Sequence, residues 1–312
     1  MSGFFGCVSR HECVGDVFYG TDYHSHLGTR RAGMAFYNGE KFVRSIHSLE
    51  NGYFRNKFEE ELPKFANSNM GIGVISDSES QPITITSHLG RFSVATVARI
   101  DNIKELTQEL LDNKNHFSEL SDSDINASEL VAILVGKAET FKEGIEYAQS
   151  KIKGSCSMLI MTDTVIYAAR DRFGRTPIII GKNDKGYVCA SESSSFTNLG
   201  YEYVRDIGPG EVVQISADGI RQVTPPGERM QICSFLWVYY GYPSAFYEGI
   251  NVENARYRSG AAMAKRDADL QLDCAAGIPD SGIAHAIGYA NQKGVEYSRP
   301  FVKYTPTWPR SF

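Results

Sequence analysis

The chain has 312 residues, 42% of them hydrophobic and 22% charged, a composition that supports a buried core and excludes disorder, collagen and coiled coil. At ~100–200 residues per domain, the length allows two domains. The net charge of −5, from 32 Lys+Arg against 37 Asp+Glu, excludes the electrostatic footprint of a nucleic-acid binder.

No run approaches ~18 apolar residues, so no membrane span is expected. The N-terminus, Met1-Ser2-Gly3-Phe4-Phe5-Gly6-Cys7, lacks the basic region and long apolar core of a secretory signal, and a cytoplasmic location is the expectation. In chain order, Phe4 to Val8 reads as the first strand, Ala32 to Tyr37 as the second and Met70 to Ile75 as the third. Pro82 to Ile100 holds two more, broken at Gly90. Arg30-Arg31 reads as a solvated turn. Ile103, Leu106, Leu110 and Leu111 have helical spacing. Leu130, Ile133 and Leu134, continuing with Phe141 and Ile145, form a second helical pattern, with Ser128 as its N-cap.

A dense strand region follows: Met158 to Met161, Val165 to Ala169, Pro177 to Ile180 and Tyr187 to Ala190, separated by turn residues. Glu211 to Ile215 and Ile220 to Val223 flank the hairpin turn Ala217-Asp218-Gly219. Strands, then helices, then strands again predict an α+β layered domain with two sheets and outer helices. Thr224-Pro225-Pro226-Gly227 punctuates the chain. Beyond it Val252 to Lys265 reads as a helix, Leu270 to Ile278 as a buried strand, and Ser281 to Asn291 as a helix ended by Gly294. Val295 to Val302 is again extended. This is the start of a doubly wound α/β domain, too short to complete a sheet of that class. The expected division is therefore 1–223, a linker at 224–228, and 229–312.

The six cysteines are scattered without C-x-x-C, so reduced thiols are expected. His24-x-His26 has no carboxylate or cysteine cluster nearby in sequence and reads as structural.

Several segments carry a resemblance. They are Gly20 to Ala35, containing His26-Leu-Gly28 and Ala32-Gly33; Asp171-Arg-Phe-Gly174-Arg-Thr-Pro177; Ala190-Ser-Glu192-Ser; Pro209-Gly210-Glu211; Cys233-Ser-Phe; and Gly277-Ile-Pro279-Asp280-Ser281-Gly282. In order and spacing over residues 2 to 312 the chain resembles the glutamine phosphoribosylpyrophosphate amidotransferases (amidophosphoribosyltransferases) of purine synthesis. The resemblance implies an N-terminal-nucleophile glutaminase domain, an αββα sandwich, followed by an incomplete phosphoribosyltransferase-type α/β domain. It implies the first step of de novo purine synthesis: phosphoribosylpyrophosphate and glutamine give phosphoribosylamine, glutamate and pyrophosphate.

The same resemblance implies a degenerate glutaminase site. The family's nucleophile is an N-terminal Cys whose own α-amine is the base; Ser2 stands there, and a hydroxyl lacks the few per cent of anion a thiol has at pH 7. Ser76 replaces the Arg that binds the glutamine carboxylate. Ile100 and Asp101 replace the Asn-Gly oxyanion hole. Ala127 replaces the Asp that reads the glutamine amine, and Leu27 replaces a further Arg. The glutaminase half is therefore expected to be inactive, as in a pseudoenzyme. Asp280, Ser281 and Gly282 fit the pyrophosphate loop at a helix N-terminus, and Lys303 and Arg310 the ends of a flexible loop. The bland alternative makes this a strand-to-helix turn with Ser281 as N-cap.

The family's ribose-phosphate motif is not found, so the transferase half is expected to be truncated. Cys233 matches an iron–sulfur ligand of some members, possible only in a full-length protein, and within this chain it reads as a buried apolar Cys. Mg2+ with phosphoribosylpyrophosphate, an amine donor, and a homo-oligomer when full length are implied. The alternative is a non-catalytic paralogue serving as a regulatory or assembly subunit.

Overall fold

The computed structural model describes residues 2–121 and 124–303. Two units divide the chain, Met1–Cys233 and Ser234–Phe312.

The first unit opens with β1 (Ser2–Ser9), α1 (Val14–Asp22), β2 (Arg31–Tyr37), β3 (Phe42–Ser48), α2 (Phe54–Phe58) and a 3₁₀ segment at Glu59–Phe65. Next come β4 (Met70–Ser76), β5 (Ile83–Ser87), β6 (Gly90–Ile100), α3 (Ile103–Asp112), the short pair β7 (Leu120–Ser121) and β8 (Asp124–Ile125), α4 (Ala127–Val135) and α5 (Phe141–Lys151). It closes with β9 (Gly154–Met161), β10 (Ile166–Ala169), β11 (Ile179–Lys182), β12 (Gly186–Ala190), α6 (Phe196–Leu199), β13 (Glu202–Asp206), β14 (Val212–Ser216) and β15 (Gly219–Thr224).

Seven strands form one sheet in the order β13-β11-β12-β1-β4-β2-β3, and six form another in the order β15-β14-β10-β9-β6-β5. The pairings in both are antiparallel. Because side chains alternate across a strand, each sheet offers two apolar faces. Phe4, Ile72 and Val74 of the first sheet pack with Ala95, Leu159 and Val213 of the second, which makes the inter-sheet core. On the outer face of the second sheet, Val94, Ile100, Met158 and Ile160 meet Leu106 and Leu110 of α3, Leu130 and Leu134 of α4, and Ile145 of α5. On the outer face of the first, α1 lies directly on β1 and β4. A Cβ at Gly20 would stand 2.5 Å from the Phe5 ring, and one at Gly73 1.9 Å from Thr21 Oγ1. The layers are helix, sheet, sheet, helix.

Some local expectations change. The single helical pattern over Leu130–Ile145 is two helices, and Asn126 rather than Ser128 caps the first. The Asn126 carboxamide accepts from Ser128 N at 2.9 Å and Glu129 N at 3.3 Å, while the Ser128 hydroxyl is buried between Thr96 and Gln81. Arg31 is no solvated turn residue: it opens β2, half-buried, and donates to Ser80 Oγ at 3.1 Å.

The second unit holds a π-helical turn at Leu236–Tyr240, a small hairpin of β16 (Phe246–Tyr247) and β17 (Ile250–Asn251), α7 (Val252–Arg266), β18 (Cys274–Ala276), α8 (Ser281–Lys293) and β19 (Glu296–Ser298). β18 and β19 pair in parallel across α8, a single βαβ crossover. Arg256 of α7 is buried and donates to the carbonyls of Trp237, Tyr239 and Gly241 at 2.8–2.9 Å, so one guanidinium satisfies the end of the π-helical turn. Gly294 ends α8 at φ +74°, where a residue without a Cβ is favoured. The expected buried strand Leu270–Ile278 shrinks to three residues, and Leu270 and Ile278 are 51% and 65% exposed. Cys233 is exposed, not buried, whereas Cys7, Cys13, Cys156 and Cys189 are buried. No helix among the described residues is long and apolar enough to cross a membrane.

Candidate functional site

β1 is central in its sheet, and its first residue pairs with the last residue of β4: Ser2 lies opposite Ser76. Both sit on the face that carries Phe4 and Val74, toward the second sheet. The Ser2 hydroxyl donates to Ser76 Oγ at 3.1 Å. Ser76 is buried, and its hydroxyl also accepts from the amides of Ser78 and Glu79, each at 3.2 Å. It thereby closes the turn that leaves β4. That turn is acidic. Asp77 accepts from Thr29 N at 2.7 Å and Thr29 Oγ1 at 3.1 Å. Burial pushes its carboxyl up, but the Thr29 donors help hold it below the ordinary carboxylate value. The Glu79 carboxylate accepts from Ser78 Oγ at 2.5 Å and from Ser76 Oγ at 3.4 Å. The turn continues to Ser80, whose carbonyl accepts from Asn126 Nδ2 at 2.8 Å.

Other positions singled out in the sequence fall elsewhere. Leu27 is buried, and its Cδ1 would stand 2.6 Å from a Cβ on Gly3, so it packs on the face of β1 opposite the Ser2 side chain. Ile100 ends β6 with its side chain in the core under α3. Asp101 is exposed and meets Arg99 Nε at 3.4 Å, while its backbone amide donates to Lys153 O at 2.8 Å. Asn102 is held by Lys151 O and Lys153 N at 3.1 and 2.8 Å. Ala127 is the buried first residue of α4. Asp77, Glu79 and Thr29 were not singled out beforehand; the polar run Ser76-Asp77-Ser78-Glu79 after an apolar strand is their sequence signal.

Beside β1, His24 is fully buried, with Nδ1 2.7 Å from Gly20 O; burial pulls its imidazole below the ordinary histidine value. His26 Nε2 lies 2.5 Å from the buried Glu192 carboxylate. Among the described residues no three His, Cys, Asp or Glu side chains are grouped to hold a metal ion. An iron–sulfur cluster needs about four thiolates, so exposed Cys233 does not make one with the other described residues.

In the second unit the Asp280–Gly282 turn precedes and opens α8. Ser281 Oγ donates to Tyr239 O at 2.9 Å rather than capping the helix. Gly282 N donates to Ile278 O at 3.0 Å and Ile283 N to Asp280 O at 3.2 Å. Lys303 Nζ reaches Asp280 Oδ2 at 3.1 Å, and Arg310 lies outside the described residues.

The glutamine amidotransferase domain family matches residues 68–198. The chain is 30% identical over 314 residues to the amidophosphoribosyltransferase of Bacillus subtilis, covering 96% of this chain and 64% of that protein. With that of Methanocaldococcus jannaschii it shares 28% identity, covering 97% and 69%. The solved glutamine phosphoribosylpyrophosphate amidotransferase from B. subtilis, complexed with ADP and GMP, superimposes with a TM-score of 0.86 at 29% identity, over 99% of this chain and 69% of that one. Over nearly its whole length the chain is similar to the amidophosphoribosyltransferases. It spans between 55% and 69% of the length of the curated amidophosphoribosyltransferases it matches. Residues 68–198, which match the glutamine amidotransferase domain family, lie within the antiparallel helix–sheet–sheet–helix unit.

Proposed function

We propose that the amidotransferase half of this chain does not release ammonia from glutamine. What it shares with its family is then pentosyl transfer in purine biosynthesis, from phosphoribosylpyrophosphate to an amine that comes from another source. The observation that carries the first statement is the fate of the two positions aligned with the oxyanion hole. Ile100 has no donor and faces the helix layer, and the Asp101 amide already donates to Lys153 O. Loss of one oxyanion donor lowers the rate by roughly 10²–10³, and here both are affected.

Glutamine also brings a carboxylate that needs a cation. The position aligned with that cation is Ser76, a hydroxyl committed to its own turn, followed by the carboxylates of Asp77 and Glu79. Like charges there oppose glutamine binding rather than orient it. Ser2 donates to Ser76, a hydroxyl and not a strong base. A thiol at this position would regain nucleophilicity but not the missing contacts to substrate.

The transfer reading rests on the family and on the Asp280–Gly282 turn at the start of α8, where a helix N-terminus favours the pyrophosphate end of the substrate. Lys303 beside Asp280 supplies a cation to the same place. Mg2+ enters as part of the substrate, complexed to its pyrophosphate. The experiment is pyrophosphate release from phosphoribosylpyrophosphate by the protein, with ammonium or with glutamine as the amine. Release with ammonium and none above background with glutamine is expected. Release with glutamine would overturn the first statement, and release with neither would overturn the second.

A further inference from the structure

The turn between β10 and β11 places Phe173 under three guanidinium groups. The central carbons of Arg172, Arg175 and Arg229 lie 5.5, 5.3 and 5.5 Å from its ring centroid. Among the described residues none of these three arginines has a carboxylate within ion-pairing distance. Several other arginines of this acidic protein are met by carboxylates: Arg10 by Asp218, Arg44 by Glu119, Arg55 by Asp22 and Arg205 by Glu211, at 2.6–3.0 Å. Three like charges gathered without a counter-charge oppose one another, and the face of one ring offsets only part of that cost.

The cluster is held, not loose. Asp171 Oδ1 accepts from Phe173 N at 3.2 Å and Arg175 N at 2.8 Å, fixing the turn. Gly174, at φ +68°, takes a backbone conformation that favours glycine. The segment carrying Arg229 is pinned to the turn by Gln231 N donating to Phe173 O at 2.7 Å. Arg175 is anchored by Gly154 O and by Gln231 Oε1, whereas Arg172 and Arg229 are exposed. With each group within 5.5 Å of one centroid, no two are more than about 11 Å apart, a span that one or two phosphate groups bridge while meeting several guanidinium forks. A single carboxylate would occupy one fork.

We infer that Arg172, Arg175 and Arg229 around Phe173 form a binding site for a phosphate-bearing small molecule. Its residues are none of those at the Ser2 site or the Asp280 turn, and it does not rest on the proposed function. The probe is inorganic pyrophosphate, titrated calorimetrically into the full chain at fixed ionic strength, with inorganic phosphate alongside. Besides any heat from the Asp280 turn, a site that binds pyrophosphate more tightly than phosphate is expected. This site should persist in Lys303→Ala, which weakens only the Asp280 turn, and its affinity should fall by about tenfold or more when Arg172→Ala/Arg229→Ala is introduced in either background, from loss of two charge-assisted contacts. Both replaced side chains are exposed, so an unchanged circular dichroism spectrum and melting midpoint are expected in the double variant. In Arg172→Lys/Arg229→Lys the charges remain but the forks do not, and weakened binding is again expected. No binding heat at millimolar pyrophosphate overturns the proposal. Unchanged affinity in the double-alanine variant does so too, as does loss of all pyrophosphate binding in Lys303→Ala, which would put the heat at the Asp280 turn alone.

Discussion

Glu211, the acidic residue of the Pro209-Gly210-Glu211 turn, is the place where a single atom change should cost this fold most visibly. Its carboxylate is 1% exposed and takes four hydrogen bonds: from Arg205 Nη1 and Nη2 at 2.8 Å each, from Gln222 Nε2 at 2.7 Å and from Gly208 N at 2.7 Å. Glu211→Gln preserves the shape but replaces one acceptor oxygen with a donor, so at least two of the four donors lose their partner. Removing one side of a buried pair costs about 3–5 kcal/mol. Arg205 is 38% exposed and recovers some hydration, which lowers the expectation to about 2–3 kcal/mol. At roughly 2–4 °C per kcal/mol for a domain of this size, the melting midpoint should fall by about 4–12 °C.

The pH dependence has a definite sign. Burial pushes the Glu211 carboxyl up, but Arg205, Gln222 and Gly208 together hold its folded value below the ordinary 4.5. The ionised carboxylate therefore contributes stability that is fully present above the unfolded value and lost as pH falls through the lower folded one. Thermal unfolding followed by circular dichroism between pH 7 and pH 3 should show the gap between native and Glu211→Gln closing on the acid side. A midpoint within 1 °C of native at neutral pH, or a gap that widens on acidification, would refute the reasoning.

Asn126→Ala removes the cap of α4 and the bond to Ser80 O, and a loss of about 1–2 kcal/mol is expected in urea unfolding. Gly73→Ala drives a Cβ to 1.9 Å from Thr21 Oγ1, so α1 must move off β4. A loss of about 1–3 kcal/mol or more is expected, with partial recovery in Gly73→Ala/Thr21→Ala. Cys156 and Cys189 are buried, and desolvation pushes both thiols well up. Cys233 and Cys274 are exposed. Native protein should accordingly show two fast-reacting thiols with a chromogenic disulfide reagent, and all six only after unfolding.

The two-sheet architecture was legible because β1, β4 and β9 carry apolar runs bounded by turn residues, and their burial on both faces demands layers above and below. α1 was not. Its sequence, with Gly15, Gly20, Thr21 and Asp22, has little helix propensity, and its small residues earn their place only against Phe5 and Gly73, partners far away in sequence. β3 is an edge strand with none of its residues fully buried and Arg44 and Ser48 exposed, and it takes its register from β2. At the candidate site, the Ser2–Ser76 pairing followed from two recognisable strands meeting at their ends. The direction of Ile100 and the use of the Asp101 amide did not, because both depend on how β6 and β9 finish beside each other. Asn126 displaced Ser128 as cap because the Ser128 hydroxyl is drawn into a buried network with Gln81 and Thr96, strand and loop residues that sequence spacing does not connect.

The central claim is that the amidotransferase site lacks the contacts that hold glutamine and its developing negative charge. Glutamate release from glutamine, measured for the purified chain and for Ser2→Cys, tests it most directly. The account predicts no turnover above the enzyme-free control in either, because Ser2→Cys restores a nucleophile and leaves Ser76, Ile100, Asp101 and Ala127 as they are. Glutamate formed above that control by either protein would contradict it.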